Sequence, residues 1–295
     1  MQLKEFSQEI LPTFDNYLET IFSQKSGMNQ LGASMWYSLS NGGKRIRPLL
    51  LLATLKAFMV NESKGFQAAA ALEAIHTYSL IHDDLPAMDD DDYRRGKLTN
   101  HKQFDEATAI LAGDALLTEA FHLISEPNSE VTPAIQVQLV NLLSATAGRH
   151  GMVGGQMGDM LGENHGLSLS ELQTVHSLKT GELIRFALVG AGVIGEVSEA
   201  IKEKLAQFAY HYGLAYQIQN DLQEVLWTDE QRGKKQSGDQ AHHKNTYPEL
   251  LTTEGAKRTL TEEIANCNQI LDEIKQLNSK FDSELMSGFL EYLEI

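Results

Sequence analysis

The stretch GFQAAAALEAIHTYSLIHDD, residues 65–84, repeats apolar residues at three- and four-residue spacing with scarcely a polar side. A helix apolar on nearly every face belongs in the centre of a helical bundle rather than on its surface. It can serve there as plain core or as the wall of an apolar pocket, and periodicity does not separate the two. Pro86 discourages continuation, so Asp83 and Asp84 fall at the C-terminal end of this helix. That end carries the negative pole of the helix dipole, where a purely structural sequence would favour Lys or Arg. More acids follow: HDDLPAMDDDDYRRG, residues 82–96, holds six aspartates in ten positions and then Arg94 and Arg95. Carboxylates this close raise one another's pKa unless positive charge sits among them. The run reads either as a solvated acidic loop with arginine counter-ions or as a divalent-cation site. Oxygen-only ligands suit Mg²⁺ or Mn²⁺ better than zinc. The EF-hand pattern does not match, lacking the mid-loop Gly and distal Glu.

Working outward, periodic segments predict helices at about 3–24, 30–41, 48–61, 65–84, 103–125, 132–161, 169–195, 199–228 and 254–278, with a short one near 282–293. Pro48 suits a first helical turn, where its missing N–H costs nothing. Ser168 and Ser170 before Glu171 resemble an N-cap. There are six prolines, no Pro/Ser-rich linker and no internal repeat, so residues 1–295 read as one all-α domain, a single-domain helical bundle. The chain has 295 residues, 42% hydrophobic and 22% charged, an ordinary folded composition. Its net charge of −16 argues against a nucleic-acid or anionic-membrane partner. Cys267 is the single cysteine, which excludes an intrachain disulfide and a Cys-based zinc site and suits a reducing cytosol. MQLKEFSQEI lacks the pattern of a signal peptide, and runs such as RPLLLLATLKAFMV meet charge well before the roughly 20 residues of a membrane span. A cytoplasmic protein with no membrane span is expected.

A second acidic group lies in YQIQNDLQEV, residues 216–225. Gln217, Asn220, Asp221 and Glu224 are spaced i, i+3, i+4, i+7 and share one helical face. Such a stripe is commonly a wet surface, but its apolar flanks (Leu214, Ile218, Leu222, Val225) also suit a helix whose polar face lines a cavity. In NGGKRIRP, Gly42 and Gly43 end one helix and Pro48 starts the next, placing Lys44 and Arg47 at a helix N-terminus suited to phosphate. Arg94, Arg95, Lys179, Lys234 and Lys244 add positive charge. Two acidic groups with basic ones between them describe a diphosphate site, held through Mg²⁺ on one side and by Lys/Arg on the other.

With these residues the chain resembles the trans-prenyltransferases, and within them the bacterial-type farnesyl diphosphate synthases. DDLPAMDDDDYRRG is similar to their first aspartate-rich motif, DDxxxxD. The likeness continues through GGKRIRP (42–48), AIHTYSLIHDD (74–84), ILAGDALL (110–117), GGQMGD (154–159), KTGELIR (179–185), YQIQND (216–221) and HKNTYP (243–248), all in order. The resemblance implies a helical bundle around a deep central cavity, a homodimer, Mg²⁺ (or Mn²⁺) as cofactor and small isoprenoid diphosphates as ligands. It implies that Asp83 and Asp89 coordinate Mg²⁺, supported by Asp84, with Asn220 and Asp221 as the opposing metal residues. Arg94, Lys179 and Lys234 would hold the allylic diphosphate. Lys44, Arg47, His76 and Arg95 would hold isopentenyl diphosphate, with Lys244 also among the substrate-binding residues. Thr180, Gln217 and the carbonyl of Lys179 would supply dipoles facing a carbocation, and Gly181 would permit the helix distortion that exposes that carbonyl.

Product length should follow from what closes the cavity. Tyr78 lies roughly 7.5 Å down the helix from Asp83 and resembles the aromatic floor of enzymes that stop at fifteen carbons. Ser79 lies more directly beneath Asp83 on an ideal wheel. The second motif departs from the family's DDxxD: it reads NDLQE, with the uncharged Asn220 in place of the first acid, which predicts weaker metal binding, and Glu224 in place of the last. It is not the cyclase pattern N-D-x-x-S-x-x-x-E either, since Glu224 and Thr228 stand in its later places. The chain ends EYLEI, without the basic tail often found in the family it resembles. Three competing readings are a relative that binds prenyl diphosphates without turnover, a geranylgeranyl diphosphate synthase and a terpene cyclase. Two intact basic sites favour a chain-elongating synthase, because a cyclase has no second diphosphate to hold.

Overall fold

The structure, a computed structural model, describes residues 1–25, 30–128, 130–227 and 245–293. Its first helices are α1 (Leu3–Lys25), α2 (Gln30–Leu39), α3 (Ile46–Ala57) and α4 (Phe66–Asp83). A two-stranded antiparallel ribbon, β1 (Tyr93–Arg94) and β2 (Lys97–Leu98), pairs Tyr93 with Leu98 and Arg94 with Lys97. Then come α5 (Asn100–Gln103), α6 (Glu106–Ser125), α7 (Pro133–Ala147), α8 (Met152–Asn164) and α9 (Leu169–His176). A π-helical turn, Ser177–Gly181, joins α9 to α10 (Glu182–Ile194). The long α11 (Glu199–Leu226) is followed by α12 (Tyr247–Leu251), α13 (Thr253–Leu277) and α14 (Ser283–Glu291). The all-α reading is correct.

Local signals set many of the helix starts. Asp105 accepts from Thr108 N, Thr132 from Ile135 N and Ser198 from Ile201 N. Ser168 and Glu171 form a reciprocal capping box at the start of α9, each satisfying a backbone N–H of the other. Caps of this kind contribute about 1 kcal/mol apiece.

The alanine-rich face of α4 explains its central place. Ala68–Ala71 and Ala74 are buried, and α4 packs closely on α6, which presents Ala109, Ala112, Gly113 and Ala120. Small side chains at a contact let helix axes approach to the short end of the usual 8–10 Å. α3 and α10 also pack against α4, and α11 lies along α10 and α13. One apolar core reaches from Leu3 to Leu293. Truncating a fully buried member such as Leu72 would cost about 2–5 kcal/mol.

Three features differ from the periodicity reading. The single helix expected at 132–161 is two helices, broken between Ala147 and Met152. Gly151 sits at φ −129°, ψ −131°, and a Cβ there would lie 1.9 Å from Thr146 O, so the chain folds back on itself too tightly for a side chain. The ribbon at 93–98 and the short helices α5 and α12 are too brief to show a period. Among the described residues α6 is the one helix long and apolar enough to cross a bilayer; it is held against α4 and α2.

Candidate active site

The acid-rich end of α4 is built around a buried ion pair. Asp84, 3% exposed, accepts from Arg94 Nε at 2.7 Å and lies 2.5 Å from Arg94 Nη2. Burial nevertheless raises the Asp84 carboxyl, against the pull of Arg94. Arg94 comes from β1, and the ribbon is pinned to the C-terminal end of α2: Asn41 Nδ2 donates to Arg94 O (3.2 Å) and Tyr37 Oη to Leu98 O (2.8 Å). The backbone turns sharply after the helix, with Asp89 N donating to Asp83 O at 2.9 Å. Asp83 is half-buried. Burial pushes its carboxyl up to about 6, with Lys179 opposing and Asp89 adding to the rise.

The opposing wall comes from α8, the π-helical turn and α11. Lys179 Nζ lies 2.6 Å from Asp159 Oδ2. Thr180, buried, donates from Oγ1 to Gln217 Oε1 at 3.2 Å, and Asn220 Nδ2 lies 3.4 Å from the same oxygen. Asp221 is buried and accepts from Tyr247 N at 2.9 Å. Burial lifts its carboxyl to about 7, the Tyr247 N–H opposing, with Glu224 and Asp159 adding to the rise. Glu224 is exposed at the end of the stripe. The two acidic groups therefore share one region: Lys179 acts on Asp83 while bonding Asp159, and Asp159 acts on Asp221.

Arginines form the third side. Gly43, at φ +120°, turns the chain into α3, and a Cβ there would lie 2.5 Å from Arg95 Nη1. The Arg95 guanidinium thus rests on bare backbone and donates to Gly42 O. Arg47 Nη1 lies 3.4 Å from His76 Nε2, while Arg47 Nε is buried without a partner among the described residues. His76 is held well below the ordinary imidazole range, by burial first and then by Arg47, Arg95, Arg94 and Arg45. A neutral imidazole beside arginines can donate to an anion without adding charge. Lys44 is exposed at the same turn.

Of the chain-length candidates, Tyr78 is buried with its ring edge-on to His82 at 5.8 Å, and burial raises its hydroxyl to about 12. Ser79 Oγ donates to His76 O within α4. Lys234 and Lys244 lie outside the described residues.

Sequence reasoning passed over Asp159, the partner of Lys179, although GGQMGD contains it. It also passed over Arg45 and Glu73. Arg45, left-handed at φ 48°, lies 2.6 Å from buried Glu73 Oε1 and donates to Leu39 O at 2.8 Å and Asp15 Oδ1 at 3.1 Å. An acid inside an otherwise apolar helix was the available signal, because such a group needs a cation.

No three His, Cys, Asp or Glu side chains converge as a ready-made metal cage among the described residues. Mg²⁺ does not require one: it is held by one or two carboxylates with the rest of its shell from substrate phosphates and water. Asp83 and Asp221, both driven towards protonation by burial first and by neighbouring acids after it, have the donor chemistry to hold a divalent cation.

An all-α bundle with facing acidic groups and an adjoining arginine cluster has the build of a prenyl diphosphate synthase. The chain belongs to the polyprenyl synthetase family, whose model matches residues 28–281. It is 44% identical over 272 residues to the farnesyl diphosphate synthase of Bacillus subtilis (strain 168), covering 92% of each chain. To the farnesyl diphosphate synthase of Micrococcus luteus it is 50% identical over 250 residues, 85% of each. A solved structure of Helicobacter pylori geranyltransferase, complexed with magnesium and isoprenyl diphosphate, superposes with a TM-score of 0.87 at 32% identity, covering 99% of this chain and 98% of that one.

Proposed function

We propose that this protein is a farnesyl diphosphate synthase that condenses isopentenyl diphosphate with dimethylallyl and then geranyl diphosphate. The observation that carries the reading is the meeting of two acidic groups across Lys179 beside the Arg47–His76–Arg95 cluster. Mg²⁺, held by Asp83, Asp89 and Asp221 with Asn220 alongside, would neutralise the charge that builds on the leaving diphosphate. Arg94 and Lys179 orient that diphosphate and share its charge as the allylic C–O bond breaks. Arg47, His76, Arg95 and Lys44 hold the second diphosphate and aim its double bond at the cation. Thr180 and Gln217 offer oxygens towards the cation without a nucleophile strong enough to trap it. The new C–C bond forms as the isopentenyl π electrons attack, and the released diphosphate accepts the proton lost from C2. Tyr78 and Ser79 belong to the floor that limits the product to fifteen carbons.

The protein acts in the cytoplasm as a homodimer. Exposed Ile110 and Leu111 on α6 support a covered face there. A second reading, binding without turnover, is favoured by Asn220, whose amide lies against Gln217, and by Asp221, engaged with Tyr247 N. Incubating the protein with isopentenyl diphosphate, geranyl diphosphate and Mg²⁺ tests both. Farnesyl diphosphate supports the synthase, a hydrocarbon or alcohol points to a cyclase, and calorimetric binding with no product establishes the second reading.

A further inference from the structure

The π-helical turn Ser177–Gly181 carries Lys179 and Thr180, and single π turns inside α-helices are frequent at functional sites. What holds this one in place is bare backbone on two sides. A Cβ on Gly155 of α8 would lie 2.2 Å from Lys179 N, 2.7 Å from Lys179 Cα and 2.8 Å from Leu178 C. A Cβ on Gly213 of α11 would lie 2.9 Å from Gly181 Cα and 3.5 Å from Gly181 N. These are backbone atoms, which cannot swing aside as a side-chain tip can. Gly181 is different. It has φ −65° and ψ −36°, which any residue adopts, and a Cβ there meets nothing nearer than Ser177 Oγ at 3.9 Å. The need for glycine therefore lies not within the distorted turn but in the two helices that clasp it. Glycine inside a helix is destabilising relative to alanine, so α8 and α11 give up intrinsic stability at these contacts.

We propose that Gly155 and Gly213 are positioning residues for catalysis: their missing side chains let α8 and α11 close on the π turn and fix Lys179 and Thr180 against the allylic substrate. The inference rests on the synthase reading for its substrates. A methyl at 155 would push Lys179 N away by about 1.3–1.8 Å to reach ordinary contact. Displacements of that size cost about 10²-fold in rate. At 213 the same measure gives about 0.6–1.1 Å, so the loss is smaller. Gly155, on α8, is remote from α3 and α4, which carry Arg47 and His76, whereas Gly213 sits beside Tyr212, which faces Arg47, so the cleaner separation of the two substrates belongs to Gly155→Ala.

The test compares Gly155→Ala, Gly213→Ala and the control Gly158→Ala, whose Cβ would meet a side-chain methyl, Val175 Cγ2 at 3.1 Å, and no backbone atom of the π turn. Steady-state kinetics give kcat and separate KM values for isopentenyl and geranyl diphosphate. Chromatography gives the fraction of geranyl groups lost to water as alcohol, and calorimetry gives affinity for inorganic diphosphate with Mg²⁺. The expected result is about 10²-fold lower kcat for Gly155→Ala, a smaller drop for Gly213→Ala, more alcohol, weaker diphosphate binding and an isopentenyl KM within twofold of the parent. Gly158→Ala stays at parental values. If Gly155→Ala does not melt cooperatively, the milder Gly213→Ala decides. Kinetics for the folded variants that match Gly158→Ala, or losses spread equally over both substrates, would overturn the proposal. A parent protein with no product at all rejects the synthase reading instead, and the calorimetric series still judges the clasp.

Discussion

Asn220→Asp tests the electrostatics of the second acidic group most directly. In the resting site the Asn220 amide lies 3.4 Å from Gln217 Oε1 and carries no charge. Its neighbour Asp221 is already lifted from 3.8 to about 7, chiefly by burial. A rise of about three pH units at 1.36 kcal/mol each corresponds to about 4 kcal/mol opposing ionisation. A second carboxylate roughly 6 Å away, at an effective dielectric of about 20–40, adds about 1–3 kcal/mol of repulsion. Asp221, at about 7, escapes that repulsion by taking a proton at a cost of about 1.4 kcal/mol at pH 8, so the penalty is about 1–1.4 kcal/mol. At about 2 °C per kcal/mol for a chain of this size, the metal-free variant should melt roughly 2–3 °C below the parent. With Mg²⁺ and inorganic diphosphate the sign reverses, because the added oxygen is now an anionic ligand. A gain of about 1.4 kcal/mol would lower half-saturating Mg²⁺ about tenfold. Differential scanning fluorimetry with and without Mg²⁺–diphosphate, alongside Mg²⁺ titration of turnover, reads both effects. Identical half-saturating Mg²⁺ in the two proteins would refute the reasoning, and so would a metal-free variant no less stable than the parent.

The pH dependence has a definite sign. Asp83 and Asp221, at about 6 and about 7, hold protons in the fold that the unfolded chain releases near 4, so their contribution to metal-free stability is lost as pH rises from roughly 4 to 7. Mg²⁺–diphosphate binding, which needs the ionised forms, strengthens over the upper part of that window; the melting temperature measured at both ends, with and without ligand, checks it. Glu73→Gln leaves Arg45 with the exposed Asp15 as its remaining counter-charge, and breaking the buried half of this arrangement costs up to about 3–5 kcal/mol. Its melt should fall by several degrees and its isopentenyl KM should rise, whereas KM for the allylic substrate should not. Tyr78→Ala removes a buried ring, costs about 3–5 kcal/mol, and should yield products longer than fifteen carbons by mass spectrometry; an unchanged product profile rejects Tyr78 as the floor.

How much was legible follows from what periodicity can encode. α4 declares itself because its core face is nearly its whole circumference, and the capping box at Ser168–Glu171 is a pairing only three residues apart. The break at Gly148–Gly151 is not legible that way, since apolar spacing continues on both sides while the backbone turns. In the site, charge density exposed Asp83, Asp84 and Asp89, and helical spacing exposed Gln217, Asn220 and Asp221. Asp159 and Glu73 escaped because each is a single acid whose meaning depends on a cation distant in sequence, Lys179 and Arg45. The left-handed Arg45 and the uses of Gly155 and Gly213 depend on close backbone approach, which a linear pattern does not record.

The charges of the site divide into those that satisfy one another and those that do not. Asp84 neutralises Arg94, Asp159 neutralises Lys179 and Glu73 neutralises Arg45. Among the described residues, left over on one side are Arg47, Arg95 and the neutral His76, and on the other Asp83, Asp89 and Asp221. An anion alone can settle among the leftover arginines, but a diphosphate reaching for Lys179 must compete with Asp159 at 2.6 Å, and one reaching for Arg94 must compete with Asp84 at 2.5 Å. Those carboxylates release their partners at little cost only if another cation takes their place, because a buried carboxylate left unpaired is expensive. The allylic diphosphate and its metal are therefore expected to enter as one unit, whereas the isopentenyl side needs no metal. The asymmetry between the two substrates is already present in which ion pairs the resting fold makes.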